Sequence, residues 1–298
     1  MIDNGAPLMV SLKSLRDRIT SVKATQKLTK AMQMVAAARL RRAQESVLAA
    51  YPYSKKMAIL LRKIKADIEG ENVPLLISGT GKEKVHFIVI FTSDRGLCGS
   101  FNAHIVRSAK DFINARLDEG KDIKIMTVGR KGFDILRRDC EHMFLEHIDL
   151  REMKRIDFCY AEFLSKKIIA SFKEGHFDVC TLFYSKFESV LHQKPISQKI
   201  LPSLSFSIIK EEEMPMYEYE PDIALMLEDL LSKNVSIQIL CALLENLTGE
   251  MAARMRAMDD ATRNAGEMIK KLSSTYNRQR QSRITTELIE IIAGAEAL

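Results

Sequence analysis

The sequence has no tryptophan, only 13 glycines and 7 prolines in 298 residues, and five cysteines without a CxxC pair. So few breakers exclude collagen-like and low-complexity classes and leave room for long helices. The cysteines (98, 140, 159, 180 and 241) offer neither zinc-ligand spacing nor a disulfide framework, and they fit a reducing, cytosolic-type setting. No apolar run approaches the roughly 18 residues a membrane-spanning helix needs. The richest, 237–247, contains Gln238, Glu245 and Asn246. The opening MIDNGAPLMV has no basic stretch before an apolar one, so no signal or transit peptide is expected. Residues 1–10 read as a disordered preface.

What is present is a core-forming chain, 46% hydrophobic and 28% charged, with a net charge of +6 that is unevenly spread. Residues 11–65 hold fourteen Lys and Arg against Asp17 and Glu45, a local net of +12. That excess is too one-sided for intrahelical ion pairing. It points to an acidic partner: a protein patch, an anionic membrane surface or nucleic acid.

Two heptad stripes flank a middle of different texture. The first visits Leu12, Leu15, Ile19, Val22, Gln26, Thr29, Gln33, Ala36, Leu40, Ala43, Val47, Ala50, Ser54, Met57, Leu61, Ile64 and Ile68. The second runs from Ile223 through Leu227, Leu230, Asn234, Ile237, Cys241, Leu244, Thr248, Met251, Met255, Met258, Thr262, Ala265, Ile269 and Leu272 to Tyr276. A 3.5-residue repeat sustained this far predicts coiled-coil helices over 11–70 and 222–298. Two helices of an ordinary core would show wider stripes and earlier caps. Pro52 is expected to kink the first helix or remove one hydrogen bond.

Between them, strand-like runs at 85–92, 123–128 and 179–184 alternate with helical stretches near 102–118, 131–138 and 155–173. The alternation predicts a central Rossmann-like α/β domain with a mostly parallel sheet, over 71–221 with its linkers at 71–82 and 202–221. A compact domain with adjacent entry and exit returns the second helix antiparallel to the first. Setting Ile223 against Ile68 brings Leu12 opposite residue 279, where the second stripe turns polar. The remaining 284–298 has no partner in the chain, yet it carries Ile284, Leu288, Ile289, Ile291 and Ile292. So much apolar surface on a lone helix implies enclosure by another protein.

Chemistry-bearing motifs are weak. TSDRGLCGSFN (92–102) follows a strand and opens a helix, a place that favours anions. It matches neither GxxxxGK[ST] nor GxGxxG, so a structural turn is the better reading. GTGK (79–82) precedes the strand and lacks P-loop spacing. Cys98 reads as a packed thiol rather than a nucleophile. His142 and His147 are five apart, which one helical face does not bring together. No catalytic set, cofactor site or metal site is expected.

Residues 22–37 (VKATQKLTKAMQMVAA), 93–99 (SDRGLCG), 217–222 (YEYEPD) and 284–295 (ITTELIEIIAGA) together resemble the gamma subunit of rotary, F-type ATP synthase. The resemblance covers about 9–298. It implies a non-catalytic rotor shaft, turned by proton flow through a c-subunit ring, that cycles the beta sites through different nucleotide affinities. Implied partners are the alpha and beta subunits, epsilon and the c ring. The membrane is met only through the complex, on the cytoplasmic face of a bacterial inner membrane. Carried over by position, Lys27, Lys30, Met32, Arg254, Arg280, Gln281, Thr285, Glu287 and Glu290 resemble contacts to the catalytic ring. Ile284, Leu288, Ile291 and Ile292 resemble the bearing, and Tyr217, Tyr219 and Glu220 the contacts to the c ring and epsilon. The alternative reading is a coiled-coil nucleic-acid binder using the basic first helix, although no base-reading motif accompanies it.

Overall fold

The structure is a computed structural model that describes residues 11–67, 74–150, 156–202 and 223–296. Two long helices, α1 (Leu12–Asp67) and α6 (Ile223–Glu296), bracket α2 (Leu75–Ser78), β1 (Val85–Phe91), α3 (Phe101–Asp118), β2 (Asp122–Val128), α4 (Arg130–Cys140), β3 (Phe144–Ile148), α5 (Phe158–Lys173), β4 (Val179–Phe187) and β5 (Gln193–Leu201). The chain divides into two compact units. One is Met1–Val35 with Met255–Leu298, and the other is Ala36–Arg254. Both long helices contribute to each.

Helix α1 starts where the Ser11 hydroxyl accepts the N–H of Ser14 at 3.1 Å, satisfying an otherwise orphaned donor. It continues through Pro52. Among described side chains, every position of both heptad stripes is buried or half-buried. In the first unit the two helices run antiparallel: Gln33 donates to Asp259 at 2.8 Å, and the hydroxyls of Thr29 and Thr262 meet at 2.8 Å. The latter pair is the one obtained by setting Ile223 against Ile68. In the second unit the Tyr51 hydroxyl donates to Glu245 at 2.9 Å, again antiparallel.

The α/β unit is built on a five-stranded sheet of order β3-β2-β1-β4-β5. Strands β1 to β4 are parallel to their neighbours, and β5 is antiparallel to β4. Side chains alternate across the sheet as strand geometry requires. Ile88, Ile90, Ile125 and Phe183 pack with Ile105 and Ile113 of α3 and Leu136 of α4. Phe87, Val89, Val128 and Leu182 face the other way, onto α5, the C-terminal end of α1 and the N-terminal part of α6. Buried on both faces over most of their length, β1 and β4 read as largely apolar runs, with His86 in the first and Thr181, Ser185 and Lys186 in the second as the polar members.

Three elements lie outside the expected set. Helix α2 falls in the stretch expected to be linker, and it buries Leu76 and Ile77. Strands β3 and β5 extend the sheet on either side. The expected preface at 1–10, most of the exit linker at 202–221, and Tyr217, Tyr219 and Glu220 lie outside the described residues.

Candidate functional site

Three places hold the residues singled out in the sequence. The first is the far part of α6. Among described residues, side chains from Arg280 to Ala295 are all exposed, including Arg280, Gln281, Thr285, Glu287 and Glu290. Ile284, Leu288, Ile291 and Ile292 recur at i, i+4, i+7 and i+8, so they share one helical face. They are 48%, 54%, 67% and 57% exposed. Arg283 donates to Glu287 at 2.9 Å. Thr285 returns its hydroxyl to the carbonyl of Gln281 at 3.0 Å. The result is a helix with an uncovered apolar face bordered by polar side chains.

The second is the basic face of α1 in the same unit. Lys27 and Lys30 are exposed, Met32 is half-buried, and Lys30 donates to the side-chain oxygen of Gln33 at 3.0 Å. Gln26, Lys27, Lys30, Ala31, Met34 and Thr262 line an open groove of about 500 Å³. The neighbouring Leu28, Met34 and Val35 are 62%, 61% and 54% exposed. Apolar surface and cationic side chains thus share one side, an arrangement fit for an acidic amphipathic partner.

The third is the 92–102 turn. Asn102 closes it by accepting the N–H of Ser93 at 3.0 Å and donating to the Ser93 hydroxyl at 2.8 Å. It also donates to the Cys98 sulfur at 3.3 Å. Leu97 at φ 66° and Gly99 at φ 60° make the reversal. Asp94 accepts the N–H groups of Arg130 at 3.0 Å and Leu150 at 3.4 Å, tying the turn to α4 and to the segment just after β3. Burial pushes the Cys98 thiol up, with the Ser93 hydrogen bond opposing. A buried, protonated thiol is a poor nucleophile. Close by, Arg254 has a side chain only 10% exposed. It reaches the Glu250 carboxylate at 2.6 Å and the carbonyls of Arg95 and Gly96 at 3.2 Å each. Burial pushes the Glu250 carboxyl up, and Arg254 pulls it back.

Arg254 is therefore engaged inside the α/β unit. Neither Glu250 nor the organising role of Asn102 was expected, although the Glu-x-x-x-Arg spacing was a legible ion-pair signal. The remaining motifs have structural occupations. Thr80 donates to Asp178 at 2.5 Å, and Asp178 also accepts the N–H of Lys84 and of Val85. His147 shares a hydrogen bond with Thr127 at 3.0 Å and stacks on Phe133. Among described residues, no group of three His, Cys, Asp or Glu side chains is placed to hold a metal ion. No helix of the described residues is long and apolar enough to cross a membrane.

A family model described as ATP synthase matches residues 11–298. The ATP synthase gamma chain of Brucella anthropi is 56% identical over 97% of this chain and 100% of its own length. That of Brucella canis is 57% identical over the same shares. Among solved structures, a chain of the Euglena gracilis mitochondrial ATP synthase aligns with a TM-score of 0.68 at 18% identity, covering 96% of this chain and 94% of its own. A chain of the Tetrahymena thermophila central stalk and c-ring structure aligns with a TM-score of 0.60 at 23% identity, covering 78% and 99%. At these identities the structural likenesses speak for the fold. Nothing among these likenesses favours a nucleic-acid binder. Near-complete matches at more than half identity leave one conclusion: this chain belongs to the ATP synthase gamma-chain family.

Proposed function

We propose that the chain is the central rotor shaft of a proton-translocating ATP synthase, with no active site of its own. It couples turning of the c ring to conformational cycling in the beta subunits. Family membership supports this, and one observation carries it further: residues 280–295 present four apolar side chains on one face with nothing of their own unit over them. Such a surface is stable in water only inside a sleeve. A sleeve lined by apolar atoms would hold it without directional bonds and so would resist rotation little.

In this reading Ile284, Leu288, Ile291 and Ile292 are the bearing. Arg280, Gln281, Thr285, Glu287 and Glu290 make polar contacts to the ring that form and break as the shaft steps. Lys27, Lys30 and Met32 meet an acidic lever of the beta subunit. Tyr217, Tyr219 and Glu220 meet the c ring and epsilon. The chain acts as a peripheral part of a membrane-associated complex, on the cytoplasmic face of a bacterial inner membrane. Co-purification of the tagged full chain with alpha and beta subunits tests the reading. Stoichiometric recovery is expected, and recovery of neither subunit would overturn it.

A further inference from the structure

Within the α/β unit, α6 is buried on nearly every side from Val235 to Arg254. Five of its side chains make directional bonds to other parts of that unit, Glu245 among them through the Tyr51 hydroxyl of α1 at 2.9 Å. Ser236 meets Ser165 of α5 at 2.5 Å. Gln238 accepts from Gln198 of β5 at 3.0 Å. Asn246 accepts the N–H of Ser185 in β4 at 3.2 Å. Arg254 donates to the carbonyls of Arg95 and Gly96 in the turn before α3. Apolar contacts fill space without a preferred direction, whereas hydrogen bonds have one. These bonds together therefore fix the angle of α6 about its own axis.

Arg254 stands apart from the other four. It alone is a cation, it serves two acceptors at once, and Glu250 holds its other arm at 2.6 Å. Its planar fork leaves little freedom once both ends are engaged. The acceptors are anchored in turn, because Asp94 binds the N–H groups of Arg130 and Leu150. A twist applied to Arg254 is thereby resisted by the start of α4 and the segment just after β3. One helical turn earlier, a side chain at Gly249 would sit 3.1 Å from the ring of Phe101, so α6 lies close against the start of α3.

We infer that Arg254, oriented by Glu250, is a torsional lock that holds helix α6 in fixed angle against the 93–102 turn, so that a turning load on the α/β unit reaches the shaft helix without slip. This rests on the rotor reading above. It makes Arg254 a positioning residue acting through α6, and not a contact to the catalytic ring. Removing Arg254 alone strands the Glu250 carboxylate in a buried place, and that variant can fail for lack of folding. The informative change is the double substitution Glu250→Met with Arg254→Met, which keeps the volume and leaves no charge behind. Arg254→Lys is the conservative partner, with one point donor where the fork had two.

The test measures protons pumped per ATP hydrolysed by the reassembled complex in membrane vesicles. Alongside, it measures amide exchange of residues 95–100 in the full chain. We expect at least a threefold fall in the proton-to-ATP ratio for the double variant and an intermediate value for Arg254→Lys. Exchange in the turn should be at least tenfold faster for the double variant. Faster exchange with an unchanged ratio would overturn the lock, leaving a merely structural tie. A lowered ratio with unchanged exchange would also overturn it, because Arg254 would then act on a partner. Failure of the wild-type chain to assemble with alpha and beta would instead sink the rotor reading on which the lock depends.

Discussion

The sharpest consequence of the exposed tip concerns a change that leaves the free chain alone and weakens its assembly. Consider Ile284, Leu288, Ile291 and Ile292 all replaced by serine. Each is about half exposed in the chain by itself. Complete burial of such a side chain is worth about 1.5–3 kcal/mol. Covering the exposed half is then worth roughly 1 kcal/mol per residue, or about 4 kcal/mol for the set. That corresponds to roughly a thousandfold rise in Kd for the alpha–beta ring. In the free chain the same changes touch only solvent-facing positions of a helix, where each moves stability by no more than about 0.5 kcal/mol. Titration of the purified ring with labelled chain reads the first quantity, and urea unfolding of the chain alone reads the second. A Kd within twofold of wild type would refute the bearing. A loss of more than about 3 kcal/mol in the free chain would refute it as well, since the tip would then be packed on its own polypeptide.

Three further outcomes follow from the α/β unit. Gly129→Ala places a Cβ 2.1 Å from the Thr92 carbonyl oxygen at φ 104°, and should cost more than about 3 kcal/mol in urea unfolding. Burial pushes the Asp178 carboxyl up, but hydrogen bonds from Thr80, Val85 and Lys84 outweigh it and hold the group below its ordinary 3.8. Its stabilising contribution is therefore present above pH 3.8 and is lost as pH falls through the lowered folded value. Asp178→Asn, which cannot accept in both places, should cost about 2 kcal/mol at pH 7 and abolish that acid loss. Glu245 is shifted the other way by burial, with the Tyr51 hydrogen bond opposing, above its ordinary 4.5. The folded state then holds the proton more tightly, so stability should decline as pH rises from 4.5 through the raised value. Unfolding curves across that range should show the decline in wild type and lose it in Glu245→Gln.

The long helices were legible because a 3.5-residue repeat needs no tertiary information, and each stripe position among the described side chains turned out covered. Strands β1, β2 and β4 were legible as apolar runs. The edge strands were not. In β5, Lys194, Pro195 and Lys199 interrupt the apolar alternation. Such residues guard an exposed sheet edge, and they also erase the strand signal. Strand β3 is only five residues long and carries Glu146 and His147. Helix α2 is a single turn whose Leu76 and Ile77 make sense only against a core that the local sequence does not reveal. The exposed tip was foreseen by matching stripe lengths. The grip of Arg254 on the turn was not, because it joins residues about 158 positions apart through backbone carbonyls, which leave no mark in a sequence.

The polar layers of the helix pair are equally instructive. Gln26, Thr29, Gln33 and Thr262 occupy stripe positions where leucine would bury more apolar area. Yet Thr29 meets Thr262 at 2.8 Å, and Gln33 meets Asp259 at 2.8 Å. Slide one helix by a heptad and Thr29 faces Met255 or Ile269, so its contact with Thr262 is lost, although each hydroxyl keeps a carbonyl of its own helix, Gln26 at 3.1 Å and Met258 at 2.7 Å. Each interhelical hydrogen bond lost in the slip costs about 0.5–1.5 kcal/mol, whereas an all-leucine seam would tolerate it at little cost. The polar pairs therefore give up burial and gain a single register. For two helices that must turn as one body, a fixed register matters more than the last increment of stability.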